Sequence, residues 1–208
     1  INIPHVTQHD ECDLSALLAL RAKLNKKHEL KISPLAFIAK VTADVLAEFP
    51  MLNSSLDPEL EKIVIKKYVN LGIAVDTPEG LIVPNIKNVQ EKSIVNIAEE
   101  ITMLASAAKT RKLKLPDLKG SSFTISSLGA IGGKFFTPII NPPEVGILGL
   151  SKTFPKVVAK NEGFESLEFL PLSLSYDHRV INGVYAAQFI TQLGAALGDT
   201  ALMEKKFK

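Results

Sequence analysis

The sequence predicts one α/β domain spanning residues 1–208, with a mixed sheet and helices packed on one face. Apolar residues recur at helical spacing in four segments, and β-branched runs of strand length lie between them. The two kinds of segment do not alternate regularly, which argues against a doubly wound parallel sheet. No shift in composition marks a linker, and no internal repeat is present. A chain of 208 residues buries roughly 70% of its unfolded surface, enough for a core without staples.

In chain order, LSALLALRAKL (14–24) carries Leu14, Leu17, Leu18 and Leu24 at helical spacing, with Asp13 placed to cap it. Ser33-Pro34 opens a second helix, the serine as cap and the proline in the first turn. Its apolar face is Phe37, Ile38, Val41, Val45 and Phe49, and Pro50 stops it. The period then changes. Residues 63–75 and 81–86 are rich in β-branched side chains, and DTPEG between them has turn chemistry, so a hairpin is expected. Ser93 to Thr110 returns to helical spacing through Ile94, Ile97, Ala98, Ile101 and Leu104. SSFTIS (121–126), VGILGL, KVVA and FLPLSLSY (169–176) read as strands, and residues 183–198 close the chain as a helix with Tyr185, Phe189, Leu193 and Leu197 every fourth position. The Gly- and Pro-dense loop 127–144 holds Phe135, Phe136, Ile139 and Ile140, too apolar for disorder. It is expected to pack on its own core or on another subunit.

Several function classes lose support at once. A formal charge of +2 gives no case for nucleic acid or a membrane surface. The basic run KLNKKHELK (23–31) reads as a solvated helix end, the alternative being a docking patch for an anionic partner. No apolar run approaches a membrane span and no signal peptide is visible. Cys12 is the only cysteine; it favours a reducing compartment, and its acidic neighbours Glu11 and Asp13 disfavour the thiolate. His5 and His9 are four apart, but Pro4 and the β-branched Val6-Thr7 make the segment extended, and no HExxH or cysteine cluster supports a metal. Phosphate loops of the GxxxxGK[ST] or GxGxxG type and a GxSxG elbow are absent. The start at INIPHVTQHDE, without methionine, suggests that an upstream part is missing.

One histidine stands apart. SYDHRVINGVY (175–185) puts His178 between a buried-looking strand and a helix, where side chains project into clefts. Asn182, four residues on, suits the cap of the helix from Gly183.

DHRVINGVYAAQF resembles the DHR-x-x-[DN]-G signature of the dihydrolipoamide acyltransferases, the core components of 2-oxo acid dehydrogenase complexes. GLIVPNI (80–86), FTISSLGAIGG (123–133) and TPIINPPEVGILGL (137–150) resemble the same family, in the same order and over almost the whole chain. The opening IPHVTQHDE is most similar to the acetyl-transferring type of pyruvate dehydrogenase complexes. The resemblance implies the chloramphenicol acetyltransferase fold. It implies homotrimers with active sites in channels between subunits, assembled into 24-mers or 60-mers. Upstream lipoyl and peripheral-subunit-binding domains are implied too, linking the core to the 2-oxo acid dehydrogenase and dihydrolipoamide dehydrogenase subunits. A bacterial member is implied to be cytoplasmic and a eukaryotic one to lie in the mitochondrial matrix.

The implied chemistry moves an acyl group between dihydrolipoamide, carried as the lipoyl group of an upstream domain, and coenzyme A, with no metal. An alkyl thiol with a pKa of roughly 8.5 must lose its proton to attack, and a neutral imidazole can take it. By the resemblance His178 is that base, Ser126 donates to the tetrahedral oxyanion, with Ser127 as the adjacent alternative, and Asn182 hydrogen-bonds near the site. Ser127, Phe135 and Asn141 are the implied substrate-binding positions, with Phe135 to Ile140 lining the interface. Arg179 is expected to pair with an acidic group and hold the junction. Family members carry either Asp or Asn where this chain has Asn182, so the acid is not required as a charge partner. The imidazole is expected to be oriented by a backbone carbonyl, its own in this family. Two other readings remain: a core subunit without turnover, and an acetyltransferase for a small hydroxylated molecule. Sequence alone does not separate acetyl from succinyl or branched-chain acyl groups.

Overall fold

In the computed structural model, residues 3–57, 59, 62–161 and 163–208 are described. The elements run β1 (His5–Asp13), α1 (Ser15–His28), α2 (Pro34–Glu48), β2 (Ser54–Asp57), β3 (Lys62–Ile65), β4 (Leu71–Ile73), β5 (Val75–Thr77), β6 (Gly80–Ile82) and β7 (Asn85–Ile86). They continue through α3 (Ile94–Lys109), α4 (Leu115–Leu118), β8 (Phe123–Ser127), β9 (Gly146–Leu150), β10 (Phe154–Lys160), β11 (Gly163–Asp177), α5 (Gly183–Leu197) and α6 (Thr200–Lys205). The main sheet has the order β1-β11-β9-β8-β4-β7, with β10 paired to the outer half of β11. Its ladders are mixed: β4, β8 and β9 run parallel, the other pairs antiparallel. The expected mixed α/β sheet is therefore present.

Alternation along the strands gives the sheet two unlike faces. One carries Phe123, Ile125, Leu148, Leu150, Leu172, Leu174 and Tyr176, all buried. Phe123 meets Phe189 of α5, and Phe189 meets Phe49 just past α2, so this is the helix-covered face. Gly146 is needed there: a Cβ would come within 2.9 Å of the Phe123 ring. Helix α2 is buried nearly all round, as its LAFIAKVTADVLA sequence dictates. Even Lys40 is inside, its Nζ donating to the Gln90 carbonyl at 2.7 Å and lying 3.5 Å from Asp44.

The opposite face is polar. Thr7 bonds Ser175 at 2.8 Å and His9 bonds Ser173 at 2.9 Å. Loop 127–144 covers part of this face. Phe136 sits against Gly149, where a Cβ would lie 2.7 Å from the ring, and the Phe135 ring is 5.0 Å from His9. The loop thus packs on its own core, the first of the two alternatives expected for it, and leaves part of its apolar surface outward. Ile140 is buried against its own sheet, while Ile131 and Ile139 stand 80% and 79% exposed.

The caps follow the sequence with small adjustments. Ser93 Oγ accepts from the Asn96 N–H, and Ser33 is the N-cap of α2 ahead of Pro34. Leu14, not Asp13, is the N-cap of α1; Asp13 instead accepts from the Ser15 N–H at 2.9 Å. The DTPEG hairpin forms as β5–β6, but as a separate two-stranded sheet.

Candidate active site

His178 follows the last residue of β11. Its backbone N–H donates to the Pro4 carbonyl at 3.0 Å, its side chain is exposed, and its ring lies 6.1 Å from that of Tyr176. No hydrogen bond to the imidazole is made among the described residues, so the orienting backbone carbonyl foreseen from the sequence does not engage the ring in this conformation. The turn beneath it is tied by an ion pair. Asp177 is 1% exposed and chelates Arg179, with Nη2 at 2.7 Å and Nε at 3.0 Å, and also accepts the Arg179 N–H. Burial would raise the Asp177 carboxyl, but these hydrogen bonds and the guanidinium charge outweigh it and hold it below the usual carboxylate range. Arg179 therefore has the structural pairing expected of it.

Asn182 is the N-cap of α5, its Oδ1 accepting from the Tyr185 N–H at 2.9 Å. The capping role read from the sequence is present, and the side chain makes no contact with His178 that would make it a charge partner.

Ser126 is on the polar face at the far end of the sheet. It pairs with Gly149, which pairs with Ser173. In the same ladders His178 extends five residues beyond Ser173, past the Tyr176–Gly146 pair. Five residues of strand and two strand spacings put roughly 17 Å along the sheet and roughly 10 Å across it between Ser126 and His178. One chain therefore does not bring the two together.

Ser127 points the other way, to the helix side. It is exposed and borders a cavity of about 350 Å3 with Ser33, Pro34, Ile38, Gly129 and Ser151. Of the two serines, only Ser126 shares the face with the covering loop. Phe135, 40% exposed, is on that loop with Lys134 5.8 Å from its ring. Asn141 is at the His178 end, and its amide is engaged within the chain, donating to Glu144 at 3.1 Å.

Two polar features were not foreseen. Glu144 is buried, accepts from Thr124 Oγ1 at 2.6 Å as well as from Asn141, and has its carboxyl raised, chiefly by burial. The signal was a lone charge directly before the apolar run VGILGL. His5 bonds with both ring nitrogens, Nδ1 to the Ile3 carbonyl at 2.8 Å and Nε2 from the Ile140 N–H at 3.0 Å. No sequence pattern marked that contact. Cys12 is buried, and burial first, then Asp10 and Asp13, push its thiol up to about 12. The thiolate is disfavoured, as expected, with burial foremost and Asp10 in place of Glu11 beside Asp13. No cluster of metal-ligating side chains occurs among the described residues, and no helix among them is long and apolar enough to cross a membrane.

Comparison with known proteins agrees with this layout. Residues 1–204 match the family model described as 2-oxoacid dehydrogenases acyltransferase (catalytic domain). The chain is 49% identical over 205 residues to the dihydrolipoyllysine-residue acetyltransferase component of the pyruvate dehydrogenase complex of Buchnera aphidicola subsp. Acyrthosiphon pisum, covering 96% of this chain and 52% of that protein. It thus spans about half of that relative's length. A solved Azotobacter vinelandii dihydrolipoamide acetyltransferase superposes with a TM-score of 0.92 at 46% identity, covering 97% of this chain and 84% of that one. The roles of a serine, a histidine and an asparagine in its catalytic mechanism were investigated. Its serine precedes the histidine by 52 positions and its asparagine follows by 4, the spacing of Ser126, His178 and Asn182. The cubic core of the pyruvate dehydrogenase multienzyme complex superposes with a TM-score of 0.92 at 47% identity, covering 97% and 84%. A chloramphenicol acetyltransferase shares the fold alone, with a TM-score of 0.64 at 11% identity over 94% of this chain and 89% of that one.

Proposed function

The chain belongs to the 2-oxoacid dehydrogenase acyltransferase family, as its catalytic domain, and from that premise we propose that it transfers an acetyl group between dihydrolipoamide and coenzyme A. His178 takes the proton from the coenzyme A thiol, and the thiolate attacks the carbonyl of S-acetyl-dihydrolipoamide. The oxyanion that forms accepts a hydrogen bond from Ser126, a donor worth about 3 kcal/mol when preorganised. The carbon–sulfur bond to dihydrolipoamide then breaks, and the leaving thiolate recovers a proton from the imidazolium. One thioester replaces another, and no acyl-enzyme is needed.

The observation that carries this reading is the chain-long family match with Ser126, His178 and Asn182 at the spacing found in the Azotobacter vinelandii relative. The separation of Ser126 from His178 within one protomer supports a site shared by neighbouring chains of a homotrimer. The exposed His178 and the outward Ile131, Ile139 and Phe135 are consistent with surfaces that a second chain covers. Assembly of trimers into a larger hollow core, with the dehydrogenase partners recruited by upstream domains in a bacterial cytoplasm, belongs to the same reading, as does substrate contact by Phe135 on the face that Ser126 shares. The test is release of free dihydrolipoamide thiol from S-acetyl-dihydrolipoamide on adding coenzyme A. Turnover that His178→Ala abolishes supports the reading; no turnover, or acetylation of chloramphenicol instead, overturns it.

A further inference from the structure

His5 takes no part in the reaction above, yet it joins three segments around the base. The Ile140 backbone N–H can only donate, so Nε2 must accept; the Ile3 carbonyl can only accept, so Nδ1 must carry the proton. Both bonds exist together only in the neutral, Nδ1-protonated ring. The residue beside it, Pro4, supplies the carbonyl that receives the His178 N–H at 3.0 Å. Its ladder partner on β11 is Asp177, which chelates Arg179 in the turn that carries His178. The ring therefore ties the entry to β1 to the apolar loop at Ile140, and the backbone on either side of it ties that entry to the end of β11.

We propose that His5 is a positioning residue for His178: in its neutral form it clamps the loop at Ile140 to the strand pair that holds the base. This rests on the reading of His178 as the base. Protonation of Nε2 would set two N–H groups against each other, and the loop would be released. The charged groups nearest the ring are Asp177 on β11, within coulombic reach of it, and the Arg179 that Asp177 pairs with. Neither restores the acceptor that Ile140 needs.

The test uses the assembled protein. His5→Phe is expected to lower kcat by roughly tenfold or more, the scale of a small misplacement of a catalytic group, with KM for coenzyme A little changed. His5→Gln, whose amide offers one donor and one acceptor that do not titrate, is expected to recover most of that loss. On the acid limb, log kcat against pH should steepen beyond a slope of about one in the unmodified protein, where protonation of either histidine lowers turnover, and hold at about one in His5→Gln. Unchanged kcat in His5→Phe, or identical acid limbs, overturns the proposal. Hydrogen exchange of the peptide containing Ile140 reads the clamp without catalysis. Its protection should fall on acidification in the unmodified protein and not in His5→Gln; protection insensitive to pH overturns the clamp even if His5→Phe fails to assemble. Full turnover in His178→Ala would instead overturn the catalytic reading and leave the exchange result to decide the clamp.

Discussion

At the scale of single residues, His178 and Asn182 sit four positions apart and do different work. His178 has an exposed, unengaged ring at a strand end, whereas Asn182 is committed to capping α5. His178→Ala is expected to cost roughly 10²- to 10⁴-fold in turnover, the range of a lost general base. Asn182→Ala is expected to cost about 1 kcal/mol of stability from the lost cap and a much smaller share of kcat; equal losses in the two variants would contradict the division. Ser126→Ala should reduce kcat by about 10²- to 10³-fold, while Ser127→Ala, on the helix side of the sheet, should leave it largely intact. Steady-state acetyl transfer separates all four variants. The Asn182 cap was legible because capping is a local property of the chain. The Asn182 cap follows from its place before an apolar helix, whatever the rest of the fold does. The His5 clamp was not legible, because its partner is a backbone N–H 135 residues away that carries no side-chain signature.

At the scale of elements, the turn from β11 into α5 depends on the Asp177–Arg179 pair. Asp177 is buried but the Arg179 side chain is partly exposed, so Arg179→Met removes a counter-charge that solvent already screens in part, and thermal or urea unfolding should register lower stability. The sign of the pH effect follows from the lowered Asp177 carboxyl. Its contribution is present above the unfolded carboxyl near 3.9 and is lost as pH falls through the folded value. Melting temperature should therefore drop less steeply from about pH 5 downward in Asp177→Asn than in the unmodified protein. On the other face, Gly149→Ala would drive a methyl into the Phe136 ring. An overpacking cost of about 1–3 kcal/mol is expected, together with faster proteolysis of loop 127–144. The long helices and the DTPEG hairpin were readable from periodicity and turn chemistry. The first half of β11 was not, because GFESL pairs only with β10 in a mostly exposed ribbon and needs no buried alternation. Helices α4 and α6, of 4 and 6 residues, are too short to show a period. The run 63–75 read as one strand region divides among β3, β4 and β5, because each pairs with a different partner.

At the scale of the whole molecule, the two-faced sheet sets the terms of the chemistry. Its ladder registers fix Ser126 and His178 at opposite ends, so the proposed site would draw the base from one chain and the oxyanion donor from another. That separation could not be read from the sequence, which shows both residues but not the strand order between them. It is tested most directly by co-expressing His178→Ala and Ser126→Ala chains, each nearly inactive alone, and measuring acetyl transfer by the mixed assemblies. A shared site predicts recovery of roughly a quarter of unmodified turnover, since about one interface in four pairs an intact histidine with an intact serine. Mixed assemblies no more active than either variant alone would contradict it.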